Sequence, residues 1–314
     1  MSTQHTAVHA EASNLCTSFG VFLTFASIAD FLSQGASLMP DRPLNILCFG
    51  AHPDDCDLRF GGTAMKYRAL GHRVKFVSMT NGDTGHFSQG GGPLARRRCE
   101  EAQAAAQIAD IEYEVLDIHN GELEPDVRNR KLVIQRMREF EADLVLCHRA
   151  NDYHPDHRAV GVVVQDASYT VTVPNVAPLT PHLQRAPVLG YFYDAFRLPN
   201  PYVPTVALDT DDVFERKVDM IHCHASQMYE WLPYNGGTLD EVPEAEVERR
   251  AWLRERLLGR FGGTADSARD CLHKWYGEAR GAAVKTAETV SVSEYGRRLP
   301  EDEVRTLFPF LPAE

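Results

Sequence analysis

Short apolar runs alternate with amphipathic stretches along the chain from about Pro43 onward. The runs at 45–50 (NILCFG), 73–80, 112–118, 142–148 (ADLVLCH) and 188–193 are rich in Val, Ile, Leu, Phe and Tyr and predict strands. Between them, the patterns at 62–70, 94–109, 128–141 and 158–169 predict helices. The clearest is 95–109, Ala-rich with Glu and Gln and free of internal Gly or Pro. Regular strand–helix alternation implies an α/β fold, with a mostly parallel sheet covered by helices on both faces. A Pro-rich stretch at 173–187 separates the fourth helix from the next strand, and loops of that length are usually functional or mobile. Beyond it, 211–228 and 244–261 read as amphipathic helices, and the tail from Val290 as a short strand and a closing helix. No linker cleanly separates two cores. Residues 43–314 are therefore expected to form a single domain with a C-terminal helical elaboration from about residue 200, and residues 1–42 an extension outside the core.

Composition narrows the picture only slightly. A net charge of −12 argues against non-specific nucleic-acid binding, which leaves a basic footprint. The seven cysteines are odd in number and include no CxxC pair; Cys48 and Cys147 fall inside expected strands. That pattern fits a reducing, cytoplasmic setting better than a disulfide framework. No stretch is long and apolar enough to span a bilayer. The mildly hydrophobic segment 18–32 lacks a basic flank, since no Lys or Arg precedes Arg42, and Asp30 interrupts it. It reads as a docking helix or upstream extension rather than a signal peptide, with Met39 an alternative start.

The chemistry is concentrated in two short clusters. His52-Pro53-Asp54-Asp55 follows the first strand, and His154-Pro155-Asp156-His157 follows the fourth. In a parallel α/β sheet, segments leaving the carboxyl ends of strands gather along one edge, where ligands bind. The clusters can thus converge and present imidazoles and carboxylates to one divalent cation, with a coordination position left for water. Asp54 and Asp55 could instead merely cap the next helix, a common role for Asp. A second His-Pro-Asp cluster at a second strand end favours the metal reading over that one.

The segments Ala51-His52-Pro53-Asp54-Asp55-Cys56-Asp57, Thr80-Asn81-Gly82-Asp83 and Asn151-Asp152-Tyr153-His154-Pro155-Asp156-His157-Arg158 together resemble the PIG-L/LmbE-like family of zinc-dependent de-N-acetylases. Arg98-Cys99-Glu100-Glu101-Ala102 resembles the family's R-x-x-E-A helix, and His224-Ala225-Ser226-Gln227 its H-x-S-Q element. The resemblance runs from about Asn45 to Gln227. It implies a Rossmann-like sheet and a soluble metal-dependent amidohydrolase acting on an N-acetylglucosamine-like sugar or conjugate. It further implies His52, Asp55 and His157 as zinc ligands and Asp54 as general base. His154 would stabilise the oxyanion as an imidazolium, with Asp156 keeping it charged, and Arg98 would contact substrate. His and Asp donors suit Fe2+ as well as Zn2+. Homo-oligomers are frequent among such proteins.

Several readings stay open on the sequence. Any of Arg96, Arg97 and Arg98 could face the pocket, or all could form a solvated helix face. The loop 83–92 is glycine-rich but lacks the Gly-Lys-Ser/Thr of a phosphate loop, and is expected to rim the pocket as a mobile lid. His86 and His224 read as ordinary polar contacts. Asp57 stands where the family usually has Glu, which puts its reach in doubt, and Arg59 and Phe60 replace smaller residues and could narrow or recharge the pocket. Other functions fit less well: an amidase for another sugar or thiol conjugate, or a non-catalytic small-molecule-binding module. No G-x-G-x-x-G follows the first strand, which weakens a dinucleotide-binding version.

Overall fold

Strand β1 (Asn45–Gly50) is buried along its whole length and sits in the middle of a seven-stranded sheet of order β3-β2-β1-β4-β5-β7-β6. The computed structural model describes residues 42–313, so the expected extension 1–42, apart from Arg42, lies outside the described residues. β1 pairs in parallel with β2 (Arg73–Ser78) on one side and with β4 (Leu144–Cys147) on the other. β2 continues to β3 (Glu112–Val115) and β4 to β5 (Val188–Phe192), both in parallel. β7 (Ala287–Gly296) runs antiparallel to β5 and to β6 (Val206–Asp209).

Alternation along β1 explains the two covered faces. Ile46 and Cys48 join one apolar cluster, with Phe60, Ala64 and Tyr67 of α1 (Asp55–Ala69) and Ala102 and Ala105 of α2 (Gly91–Ala109). Leu47 and Phe49 join the other, with Val133 and Met137 of α3 (Val127–Glu139) and Val160 and Val163 of α4 (Pro155–Thr170). Successive strand residues point to opposite faces, so each face needs its own helical cover. The fold is thus the Rossmann-like α/β arrangement expected, with further helices α5 (Phe214–His222), α6 (Glu246–Ser267) and α7 (Arg269–Tyr276) in the C-terminal part. No helix among the described residues is long and apolar enough to cross a membrane.

Three differences from the sequence pattern have physical causes. Helix α1 starts at Asp55, not at 62, and runs through Gly61-Gly62. A Cβ on Gly62 would lie 3.1 Å from Thr210 and 3.2 Å from Glu288, so glycine here permits close packing rather than a helix break. The pattern at 211–228 divides into α5 and a π-helical turn, Ser226–Trp231, which re-aims the side chains between them. The four-residue strand β6 and helix α7 give no clear periodic signal, and β7 is longer than the tail from Val290 suggests.

Both His-Pro-Asp clusters leave the carboxyl ends of neighbouring strands, β1 and β4, where the order turns from one half of the sheet to the other. Phe49 pairs with Cys147, which sets Gly50 beside His148 and brings the two clusters together.

Candidate metal centre and active site

Pro53 and the turn after β1 send the chain into α1 with Asp54 at the N-cap position, yet its side chain makes no capping bond. Asp55 does not cap the helix in the usual sense either: its Oδ2 accepts from the backbone N–H groups of Ala51 (3.0 Å) and His52 (2.8 Å). These bonds fold the carboxylate back over the end of β1. There it meets the imidazoles of both clusters. Asp55 Oδ2 lies 3.4 Å from His52 Nδ1 and 3.4 Å from His157 Nε2, and those nitrogens are 3.3 Å apart.

That triangle is a test of fit for a metal. Zinc bonds of about 2.0–2.1 Å at tetrahedral angles place neighbouring donor atoms about 3.3–3.4 Å apart. Three such atoms cannot all present bare lone pairs to one another; a proton or a cation must lie between them. The demand also shows in protonation. Burial opposes charge on His157, but Asp55 and Asp152 outweigh it and push its pKa up to about 10. Burial likewise disfavours the Asp55 carboxylate, but the facing imidazoles of His157 and His148 hold it well below its usual range. Two overlapping groups of metal-capable side chains, His52–His154–His157 and Asp55–His148–His157, share His157. The donors therefore fit a divalent cation such as Zn2+.

Carboxylates behind the imidazoles set their orientation. Asp156 Oδ2 lies 3.2 Å from His52 Nε2, and Asp152 Oδ2 is 3.1 Å from His157 Nδ1. Asp156 thereby fixes a proton on His52 Nε2 and leaves Nδ1 able to bind a cation, while Asp152 faces His157 Nδ1 as an ion-pair partner. Asp156 is itself held by the N–H groups of Gly121 (2.7 Å) and Leu123 (3.2 Å). This differs from the expectation for Asp156, which is turned to His52 and stands 3.9 Å from His154. His154 Nδ1 accepts from Asp156 N instead. Burial, then the like charges of His52 and His157, lower the His154 pKa to about 4.

His148 carries no expectation from the sequence beyond its place in a strand. It is buried at the end of that run, stacked on His157 with ring centroids 3.9 Å apart, and its Nε2 is 3.2 Å from Asp55 Oδ2. Burial, with His157 adding, depresses its pKa to about 4. A histidine closing a buried strand at the ligand edge was the available signal.

Among the three arginines, Arg98 faces inward. It is buried, its Nη2 lies 3.4 Å from Asp54 Oδ2, and Nη1 donates to Gly82 O at 3.2 Å. Arg97 pairs with Glu230 and Glu101, and Arg96 is exposed. The later motifs lock together: Glu101 accepts from Ser226 N (2.9 Å) and Oγ (2.6 Å), and Gln227 donates to Gly85 O at 3.0 Å. Asp57, despite its shorter side chain, reaches His224 (3.1 Å) and the Tyr113 hydroxyl (2.9 Å), all in the core beneath the site. The loop expected as a mobile lid is tied down. Asp83 bonds His119 and Asn120, His86 meets Glu230 at 2.8 Å, and Gln227 holds Gly85.

Fold and site together define an α/β protein with a His/Asp centre at the switch point of a parallel sheet. Residues 47–168 match the GlcNAc-PI de-N-acetylase (PIG-L) family. The chain is 31% identical to diacetylchitobiose deacetylase of Thermococcus kodakarensis over 60% of this chain and 74% of that protein. It belongs to the PIG-L family. It is also 26% identical to 4-oxalmesaconate hydratase of Pseudomonas putida, over 64% of this chain and 80% of that enzyme. The structure of N,N'-diacetylchitobiose deacetylase from Pyrococcus horikoshii shares the fold, with TM-score 0.61 and 21% identity over 88% of this chain and 95% of that one.

Proposed function

We propose that this protein is a metal-dependent hydrolase of the N-acetyl amide of an N-acetylglucosamine-like sugar or conjugate, releasing acetate and a free amine. In this reading His52, Asp55 and His157 hold Zn2+, with Fe2+ the alternative, and Asp54, His154 and Arg98 act on the substrate. The observation that carries it is the 3.3–3.4 Å triangle of donors beside a carboxylate that is outside the triangle. Similarity to a diacetylchitobiose deacetylase supports the choice of amide and sugar class.

A divalent cation there would supply Lewis acidity at the acetamide oxygen and lower the pKa of water toward about 7. Asp54, adjacent to Asp55 but directed at Arg98, would take the proton of the attacking water and pass it to the leaving amine. Arg98 keeps that carboxylate oriented and offers hydrogen bonds to sugar hydroxyls. His154, with Nδ1 accepting from Asp156 N, carries its proton on Nε2 and donates it as a neutral imidazole to the developing oxyanion. Asp156 and Asp152 hold His52 and His157 in the tautomers this needs.

The test is acetate release by zinc-loaded protein from a panel of N-acetylglucosamine, diacetylchitobiose, thiol-sugar and other N-acyl conjugates, with bound metal quantified on the same sample. Chelator-sensitive acetate release with about one zinc per chain is expected. Full metal occupancy without hydrolysis of any panel member overturns the reading, and the hydratase relative makes addition of water to an unsaturated acid the next reaction to assay.

A further inference from the structure

Arg149 directly follows His148 at the carboxyl end of β4, and its side chain reaches into the segment 193–204. That segment leaves the carboxyl end of β5, parallel to β4, so it starts at the same edge of the sheet as the two His-Pro-Asp clusters. The guanidinium holds it at three points. Nε and Nη2 donate to the two oxygens of Asp194 at 2.6 and 2.5 Å, Nη2 also to Phe196 O at 3.0 Å, and Nη1 to Asn200 O at 2.9 Å. Asp194 in turn accepts from Phe196 N at 2.9 Å. Both charged side chains are largely enclosed, 12% and 6% exposed. Only a planar fork can grip both carboxylate oxygens while its remaining N–H groups reach two carbonyls; the single nitrogen of a lysine cannot.

The clamped segment walls a cavity of about 310 Å³, lined by Tyr193, Phe196, Tyr202 and Pro204 together with Ser267 of α6 and Thr289 of β7. Exposed Tyr153 bridges this cavity and the metal centre: its ring lies 5.7 Å from His154, 5.8 Å from His157 and 6.2 Å from Phe196. Most polar groups of the wall are already engaged. Asp194 is neutralised by Arg149, the Tyr202 hydroxyl meets Thr289 Oγ1 at 3.1 Å, and Ser267 Oγ donates to Thr264 O at 2.9 Å. The Tyr193 hydroxyl and the exposed Arg197 side chain remain, too few partners for the hydroxyls around a second sugar ring.

We propose that Arg149 is the positioning residue of a substrate subsite: it holds 194–200 so that Phe196 faces Tyr153, and the cavity beside Phe196 takes an apolar aglycone carried by the amino sugar. This deepens the reading above and rests on it. A substrate whose acetamide lies at the donor triangle meets Tyr153 on its way to the cavity. Beyond that ring the aromatic and proline walls gain from covering apolar surface, not from reading hydroxyls.

The experiment compares kcat/KM of the zinc-loaded full chain on N-acetylglucosamine, its phenyl and hexyl glycosides in both anomers, and diacetylchitobiose. At least one apolar glycoside should be preferred about tenfold or more over both the free sugar and the disaccharide, the usual effect of burying one apolar group, and chiefly through KM. Phe196→Ala and Arg149→Lys should each reduce the ratio of apolar glycoside to free sugar to about twofold or less. A change that merely destabilises the protein lowers both substrates alike and leaves the ratio where it was. In parallel, calorimetry follows binding of phenyl and hexyl glucosides, which carry no amide, to the same proteins. Binding that Phe196→Ala abolishes, without hydrolysis of any substrate, supports the subsite and removes the deacetylase reading. Hydrolysis with no preference for the apolar glycosides, or a preference for the disaccharide, overturns the subsite and leaves deacetylation standing. A preference lost in Phe196→Ala but intact in folded Arg149→Lys overturns the role of Arg149.

Discussion

Asp54 and Asp55 are neighbours in sequence but have unlike surroundings, and that difference defines their proposed division of labour. Asp55 accepts two backbone N–H bonds and faces three imidazoles, whereas Asp54 meets only Arg98 among the charged groups of the described residues within ion-pair range. Asp54→Asn keeps the shape and leaves the donor triangle untouched. It should retain metal, measured by elemental analysis, while kcat falls by about 10²–10⁴, the usual worth of a general base. Normal turnover in that variant would remove Asp54 from the mechanism. His148 makes a separate case. It supports Asp55 and stacks on His157 without belonging to the donor triangle, so His148→Ala should weaken zinc binding by about 10–100-fold in a chelator competition. An unchanged affinity would mark His148 as packing alone.

Four elements meet at a buried ion pair that holds α1 in place beneath the site. Lys217 on α5 pairs with Glu288 on β7, donates to Leu58 O at 3.2 Å and lies 3.4 Å over the Phe261 ring of α6. Glu288 in turn accepts the N–H groups of Gly62 (2.9 Å) and Thr63 (2.8 Å) of α1. Glu288→Ala strands a buried ammonium, and should cost about 3–5 kcal/mol in urea unfolding. Replacing both residues, with Lys217→Met, should cost clearly less than the sum of the single changes; strict additivity would show that the two groups do not depend on each other. Nothing in the sequence announces this pair. Lys217 reads as one more polar position on an amphipathic helix, and Glu288 as a charge in a weak tail. By contrast β1, β2, β4 and β5 were legible because buried parallel strands are nearly continuous apolar runs. The two clusters were legible because each directly follows such a run. Asp156 was visible, but its partner was not: which imidazole it supports depends on the relative placement of two loops far apart in sequence.

At the scale of the whole molecule, the donors hang from a frame that does not need them. Large apolar clusters on both faces of the sheet fix β1 and β4, and backbone bonds from Ala51, His52, Gly121 and Leu123 fix Asp55 and Asp156. Small zinc domains unfold without metal because they lack such a core. This protein should instead remain folded after chelation, with unchanged far-ultraviolet circular dichroism. Its stability should nevertheless fall, because a cation that binds only the folded state stabilises it by about 2.7 kcal/mol at a hundredfold excess over Kd. For a protein of this size that corresponds to a decrease in Tm of roughly 4 °C, read by thermal scans with and without zinc. Asp55→Ala removes one corner of the triangle and should abolish the response to zinc. A Tm indifferent to zinc in the unaltered protein would mean that the three donors share a proton, not a metal, and the hydrolytic reading would fall with them.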